Sequence, residues 1–409
     1  MSAQGVADGL GGAHRAHRAH RGARRQRKPR SLYYRRIRAL VLLVLAVLLL
    51  LVGISLGSAL LNPVNGSSIG ARFAEWAREH GGASIVRWGE KEWYTHHQPP
   101  VGGRPAKGAL VVPGSTTSTT PTTAPVPQLP APAAMQPVAS PALAGEGQWT
   151  PTGRLVDGVP AVYETRLRPD AQHTSEVVGV AWMDTKLLRA TLYSGSQIPG
   201  GGPFAHTAPV QPTAATSLVA AFNAGFLMTT AQGGYYTDGR VVDPLRTGAA
   251  SVVIYKDGTV TVGQWGTDVT MTPDVVSVRQ NLDLLVQNGA PVPGLDATTT
   301  TRWGNTLGNQ VYVYRSALGV TADGALVYVG GPSLNITDLA NLLVDAGAVR
   351  GMELDINTDW VNFSSYAPST PSGAATGTDG TELVPTMVGT SARYFQSWWA
   401  RDFFTMSAR

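Results

Sequence analysis

The sequence predicts an α+β fold: a strand-rich mixed domain with few helices, preceded by one transmembrane helix and a disordered linker. Three observations lead there. Beyond residue 149 the apolar runs are short and joined by turn sequences, that region has one clear helical repeat, and residues 39–61 form a 23-residue run with no charge.

Charge explains the N-terminal order. The formal +5 of the 409-residue chain is the sum of two unlike parts. Residues 1–38 hold eleven basic residues against the single acid Asp8, a charge of +10, which leaves −5 for the rest. At 1.5 Å per residue, residues 39–61 can cross a hydrocarbon core of about 30 Å. A cleavable signal usually has a shorter apolar core, so an uncleaved signal anchor is the preferred reading, although Gly57-Ser58-Ala59 resembles a cleavage site. Cations concentrated before the span place residues 1–38 in the cytoplasm and the C-terminal domain outside, in the cell membrane. The basic tail fits a topology and lipid-surface role, because no aromatic residue is interleaved with its cations before Tyr33; nucleic acid is not expected as a partner. His14, His17 and His20 read as repeat slippage.

Residues 62–97 form a membrane-proximal segment with one short helix. Ser67 and Ser68 suit its cap, Ile69, Phe73, Trp76 and Ala77 give its apolar face, and Gly81-Gly82 stop it. Residues 98–148 form a linker rich in Pro, Thr and Ala, uncharged from Gly108 to Gly145, which cannot bury enough apolar surface to offset its ordering entropy. Residues 149–409 form the folded domain. Strands are expected at 177–182, 251–255, 259–262, 311–314, 318–321 and 325–329. Lys256-Asp257-Gly258 and Ala322-Asp323-Gly324 supply hairpin turns. The helix is 335–346, with Ile336, Leu339, Leu342 and Leu343 on one face and Gly347 as its stop.

The chain has no cysteine and no histidine after His206, which removes a cysteine nucleophile, a thiolate metal site and most histidine chemistry. No nucleophile elbow, zinc-protease, P-loop or dinucleotide fingerprint is present. Carboxylates, arginine, amides and hydroxyls remain. In 352–357 (MELDIN) Met352, Leu354 and Ile356 alternate with Glu353, Asp355 and Asn357, so a strand would present three oxygen-bearing side chains on one face. Residues two apart lie about 6.5–7 Å apart there, a spacing at which two carboxylates can act as acid and base around a sugar, although an ordinary edge strand has the same pattern. Asp355-x-Asn357-x-Asp359 is not an EF-hand, because Trp360 and Tyr366 occupy its glycine and glutamate positions. A looser divalent site is left open, but no metal ligand and no cofactor are assigned. Asn223 and Gly225 interrupt an apolar run, as happens where ligand backs onto main chain or where a glycine simply packs. Arg315 can fork a phosphate or stand as a solvated strand-end charge. Trp265, Trp303 and Trp360 suit sugar stacking or the core.

The series AFNAGF (221–226), YTDGR (236–240), RQNLDLLVQNG (279–289), RSALGVTADG (315–324) and a DLANLLVDAGA helix (338–348) running into MELD (352–355) resembles the phosphodiester glycosidase family over residues 175–395. The resemblance implies that Asn223 and Gly225 match the family's asparagine-glycine strand, Arg315 its arginine, and Asp355 its aspartate. The chain departs from the pattern where Glu353 replaces an asparagine and Ile356-Asn357-Thr358 replace glycines, whose freedom to bring backbone amides to a ligand β-branched residues cannot copy. The function expected is a bacterial, membrane-anchored hydrolase of a sugar phosphodiester or cell-envelope glycan. Asp355, Glu353 and Arg315 would be catalytic, and Asn223, Gly225, Asn281 and Asn357 would bind substrate. The alternative is a non-catalytic glycan-binding or envelope-scaffold protein that keeps the fold.

Overall fold

The computed structural model describes residues 30–62, 68–114, 126–295, 302–303, 312–370, 372–388 and 390–409. The expectations for most of the basic tail, including His14, His17 and His20, lie outside the described residues. Helix α1 (Arg30–Leu61) contains Tyr33–Leu61, 29 residues long and apolar enough to cross a membrane.

The membrane-proximal segment holds two helices rather than one. In α2 (Ile69–Ala77) the Ser68 side chain accepts from the Ala71 amide at 3.1 Å, the expected cap. The chain kinks at His80 and Gly81 and resumes as α3 (Ala83–His96). The glycines turn the chain without ending its helical character.

From Thr150 the chain is mostly strand: β1 (Thr150–Val156), β2 (Val159–Leu167), β3 (Val178–Met183), β4 (Leu188–Tyr193), β5 (Leu218–Asn223), β6 (Tyr235–Thr237), β7 (Arg240–Asp243), β8 (Ala250–Tyr255), β9 (Val260–Gln264), β10 (Val275–Gln280), β11 (Leu284–Gln287), β12 (Ala290–Pro291), β13 (Val313–Thr321), β14 (Leu326–Leu334), β15 (Ala348–Glu353), β16 (Phe363–Tyr366), β17 (Gly380–Glu382) and β18 (Phe403–Ala408). Two one-turn helices, α4 (Pro212–Ala215) and α5 (Met228–Ala231), flank β5, and α6 (Ile336–Asp345) follows β14. The strands build an eight-stranded sheet ordered β1-β2-β3-β14-β13-β15-β11-β12 and two five-stranded sheets, β7-β6-β10-β8-β9 and β17-β16-β5-β18-β4.

Both expected hairpins form, β8–β9 and β13–β14, with Gly258 (φ 82°) and Gly324 (φ 93°) taking the left-handed turn positions. Two strands expected at 311–314 and 318–321 are one strand, β13. Its polar interruption, Arg315-Ser316, is accepted inside the sheet because both side chains find buried partners. Helix α6 begins at the Asn335 cap, whose side chain accepts from the Asp338 amide, and it buries Ile336, Leu339, Leu342 and Leu343 as expected.

The main core lies between the three sheets, with Val162, Met183, Phe222, Val252, Leu318, Tyr328, Met352, Phe363 and Phe404 in contact. A second core fills the α6 face of the eight-stranded sheet and includes Leu129, Met135, Val178, Ala317 and Leu343. Leu129 and Met135 belong to the segment 98–148 read as a linker, and both are buried in this core. The flanks of that segment pack on the body, although residues 115–125 lie outside the described residues. The Leu129 amide donates to Asp184 Oδ2 at 2.7 Å, Arg168 pairs with Glu146 at 2.8 Å, and Arg166 reaches the Val111 carbonyl at 2.6 Å. Composition hides this because the stabilising groups are arginines and an aspartate on the body, which satisfy the backbone of a coil poor in side-chain partners.

Leu129→Ala should therefore lower unfolding stability by about 2–4 kcal/mol in urea titrations of the detergent-solubilised chain. A free linker would give no change.

Candidate active site

The three sheets are pinned together at one place by buried polar side chains. Asn223, the last residue of β5, donates from Nδ2 to Ser316 Oγ on β13 at 3.0 Å. Its Oδ1 accepts from the Tyr328 hydroxyl at 2.9 Å and from the Asn362 amide at 3.2 Å. Asn281, just past β10, donates to the carbonyls of Glu353 and Leu354 at 2.8 and 3.1 Å, and its Oδ1 accepts from the Phe226 amide. Ser316 in turn receives the Asp355 amide on its hydroxyl at 3.2 Å. These bonds fix the segment 353–355 from three directions.

A buried ion pair makes the remaining link. Arg279 on β10 donates from Nε to Asp402 Oδ2 at 2.6 Å, with both side chains fully buried. Its other nitrogens donate to the carbonyls of Gln280 and Phe226. Gly225 admits this guanidinium: a Cβ there would stand 3.3 Å from Arg279 Cζ and Nη2 and from Asn281 Oδ1. The group that backs onto the glycine is thus an arginine of the same chain.

The alternating strand expected through Asn357 stops at Glu353. Beyond it Asp355 turns back on its own backbone, Oδ1 accepting from the Ile356 and Asn357 amides at 2.8 and 3.0 Å, and Asn357 Oδ1 accepts from the Asp359 amide. Asx turns compete with a strand ladder in this way, so the three side chains do not line one regular face. Burial pushes the Asp355 carboxyl up to about 6, against the pull of Arg401 and the two backbone amides, while Glu75 on α2 adds an upward push. Arg401 lies just before β18. Its guanidinium sits 4.4 Å from the Trp360 ring centroid, and its Nη2 lies 3.7 Å from Glu75 Oε1. Among the described residues its buried Nη1 has no hydrogen-bond partner, and neither has Asp402 Oδ1.

Glu353 and Arg315 form a pair of their own at 2.6 Å, both side chains fully buried, and Arg315 Nε is held by the Leu334 carbonyl at 2.8 Å. Burial raises the Glu353 carboxyl against the opposing charge of Arg315. In this arrangement each of the two side chains is turned toward the other rather than toward Asp355. Asn223 and Asn281 are likewise engaged by protein partners. Asn357 is only half-buried. Trp265, Trp303 and Trp360 are buried, and Trp360 serves as the platform for Arg401.

Sequence reasoning passed over Arg401, Asp402, Ser316 and Arg279. A signal existed for the first two, an adjacent charge pair entering the fully apolar Phe403-Phe404. Glu75 had none, because it arrives from a helix distant in sequence.

An antiparallel three-sheet domain with a buried carboxylate–arginine centre is the class that fold and site define. Residues 216–355 match the family model described as phosphodiester glycosidase. Among solved structures it is similar to the catalytic domain of zebrafish N-acetylglucosamine-1-phosphodiester alpha-N-acetylglucosaminidase, auto-inhibited by its pro-peptide. That similarity has 15% identity and a TM-score of 0.40 and covers 64% of this chain and 88% of that one. It is also similar to a hypothetical protein from Synechocystis, at 12% identity and a TM-score of 0.33, covering 61% of this chain and 62% of that one. No curated protein matches the sequence.

Asp402→Asn, which strips the buried Arg279 of its counter-charge, should cost about 3–5 kcal/mol in urea unfolding, and Gly225→Ala about 1–3 kcal/mol. A loss under 1 kcal/mol for both would remove the pinning role. Asp338, in the first turn of α6, is raised from 3.8 to about 7 by burial. A carboxyl whose folded value exceeds its unfolded value contributes stability that is complete below the unfolded value and lost as pH rises through the folded one. Stability should therefore decline between about pH 4 and pH 7, and Asp338→Asn should flatten that decline in unfolding curves measured across the range.

Proposed function

We propose that the chain is a membrane-anchored, extracytoplasmic hydrolase of glycosyl phosphodiesters in the cell envelope, with Asp355 as its reacting carboxylate and Arg401 as the seat of the phosphodiester anion. One observation carries this reading: a buried carboxyl that titrates at about 6 lies in the field of a buried arginine whose Nη1 has no hydrogen-bond partner among the described residues. The phosphodiester glycosidase match over 216–355 supports the reaction class.

The chemistry follows from the charges. Water adds to the anomeric carbon, the bond from that carbon to the bridging oxygen breaks, and a phosphate monoester leaves. That leaving group needs little protonation, so the site needs a base for the water and a cation for the departing anion. Ionised Asp355 takes the water's proton, and Arg401, held flat by Trp360, binds the phosphate oxygens. Glu353 and Arg315 act as positioning residues that hold the β13–β15 pair, with Asn223, Asn281 and Gly225 fixing the neighbouring strand ends. Asn357 meets sugar hydroxyls. Helix α1 supplies the anchor, and the cations before it put the domain on the far side of the membrane.

A second reading, glycan binding without turnover, is favoured by Ile356 and Thr358 standing where the family carries glycines. Incubation of the full-length chain in detergent with a sugar α-1-phosphodiester, followed by assay of free sugar, separates the two. Asp355→Asn should lower kcat by about 10²–10⁴, and Arg401→Gln should chiefly raise KM. Because the base must be ionised, kcat should rise with pH through about 6, the value of Asp355. Binding with no release above the Asp355→Asn level would leave only the second reading.

A further inference from the structure

Helices α2 and α3 carry an apolar surface that the body leaves uncovered. On α3, Ile85, Trp88 and Trp93 are 71%, 65% and 60% exposed, and on α2, Ile69 and Phe73 are 68% and 49% exposed. At 100° per residue, Ile85, Trp88, Gly89, Glu92, Trp93 and His96 fall within an arc of about 140° on one side of α3. Clustered exposed apolar residues of this size on a soluble face are uncommon and mark an interaction surface. Two large indoles beside a polar Glu92–His96 pair match the chemistry of the boundary between headgroups and acyl chains, where an apolar ring with one polar N–H is most favourable.

Chain length identifies the partner. Only residues 62–68 separate the apolar helix α1 from α2, a tether of about 24 Å at full extension. Once α1 spans a bilayer, the tether limits how far the start of α2 can stand from it. At its other edge α2 carries Glu75, the side chain that meets Arg401.

We infer that the exposed face of α2 and α3 docks on the lipid surface and so presents the Arg401 site to glycosyl phosphodiesters whose aglycone is a membrane-embedded lipid. The substrate half of this inference rests on the proposed function; the docking half stands without it. Confining both site and substrate to one surface raises their effective concentration, the same gain that a second binding module gives.

The test uses the full chain reconstituted in vesicles whose lipids carry bromines on the acyl chain near the headgroup. All ten tryptophans lie after residue 61, so α1 itself contributes nothing to tryptophan emission. Bromolipid should quench part of the emission, and the Trp88→Phe/Trp93→Phe double variant should lose most of that quenchable part. Absence of quenching, or its full retention in the double variant, overturns the docking; a second copy of the chain covering this face would give the same unquenched result. In the same vesicles a lipid-linked sugar phosphodiester should be cleaved with kcat/KM roughly tenfold above its water-soluble counterpart. Equal rates overturn the substrate class alone. No cleavage of either overturns the proposed function, and with it the substrate half, while the quenching still decides the docking.

Discussion

The junction of the three sheets depends on one buried ion pair, Arg279 with Asp402. Two charges removed from water are costly unless every remaining donor is used, and here the guanidinium also serves the Gln280 and Phe226 carbonyls. That demand dictates the rest of the neighbourhood. A Cβ at position 225 would crowd Arg279 at 3.3 Å, the end of β10 approaches the start of β18, and Asn281 turns toward the end of β15. Asp402 is followed directly by the apolar strand β18, so its placement also sets where Arg401 lies. The position of Arg401 is thus a consequence of a buried electrostatic constraint.

This arrangement separates residues that are adjacent or alternating in sequence into different roles. Arg315 and Glu353 pair with one another through Nη1 and Oε1, and Asp355, two residues on, falls in the field of Arg401. The departure from strand geometry at Asp355 is what divides them. Had the strand continued, its carboxyl would have shared the layer of the Arg315–Glu353 pair. Instead its own Asx turn, assisted by the Ser316 hydroxyl, ends the ladder.

The sequence made much of the scaffold legible and less of the centre. Helix α6, its Asn335 cap, and the two glycine hairpins follow local rules, so their residues announce them. Strand β13 did not, since Arg315 and Ser316 read as an interruption until Glu353 and Asn223 are known to face them. Asp355 stands out in the sequence through its motif, whereas the placement of Arg401 beside it required the fold, because nothing local tells a strand-end arginine from a solvated one. The packing of the flanks of the Pro-rich segment is illegible for a related reason: their partners Arg166, Arg168 and Asp184 lie elsewhere, and composition does not record contacts across the chain.

The central claim is that Asp355 and Arg401, rather than Glu353 and Arg315, form the reacting centre. It is tested most directly by a crystal structure of the Asp355→Asn chain with a sugar α-1-phosphodiester bound. The account predicts the phosphate oxygens within hydrogen-bond reach of Arg401 and the anomeric carbon beside residue 355, with the Arg315–Glu353 pair undisturbed. A phosphate seated on Arg315, or a ligand bound away from both arginines, would contradict it.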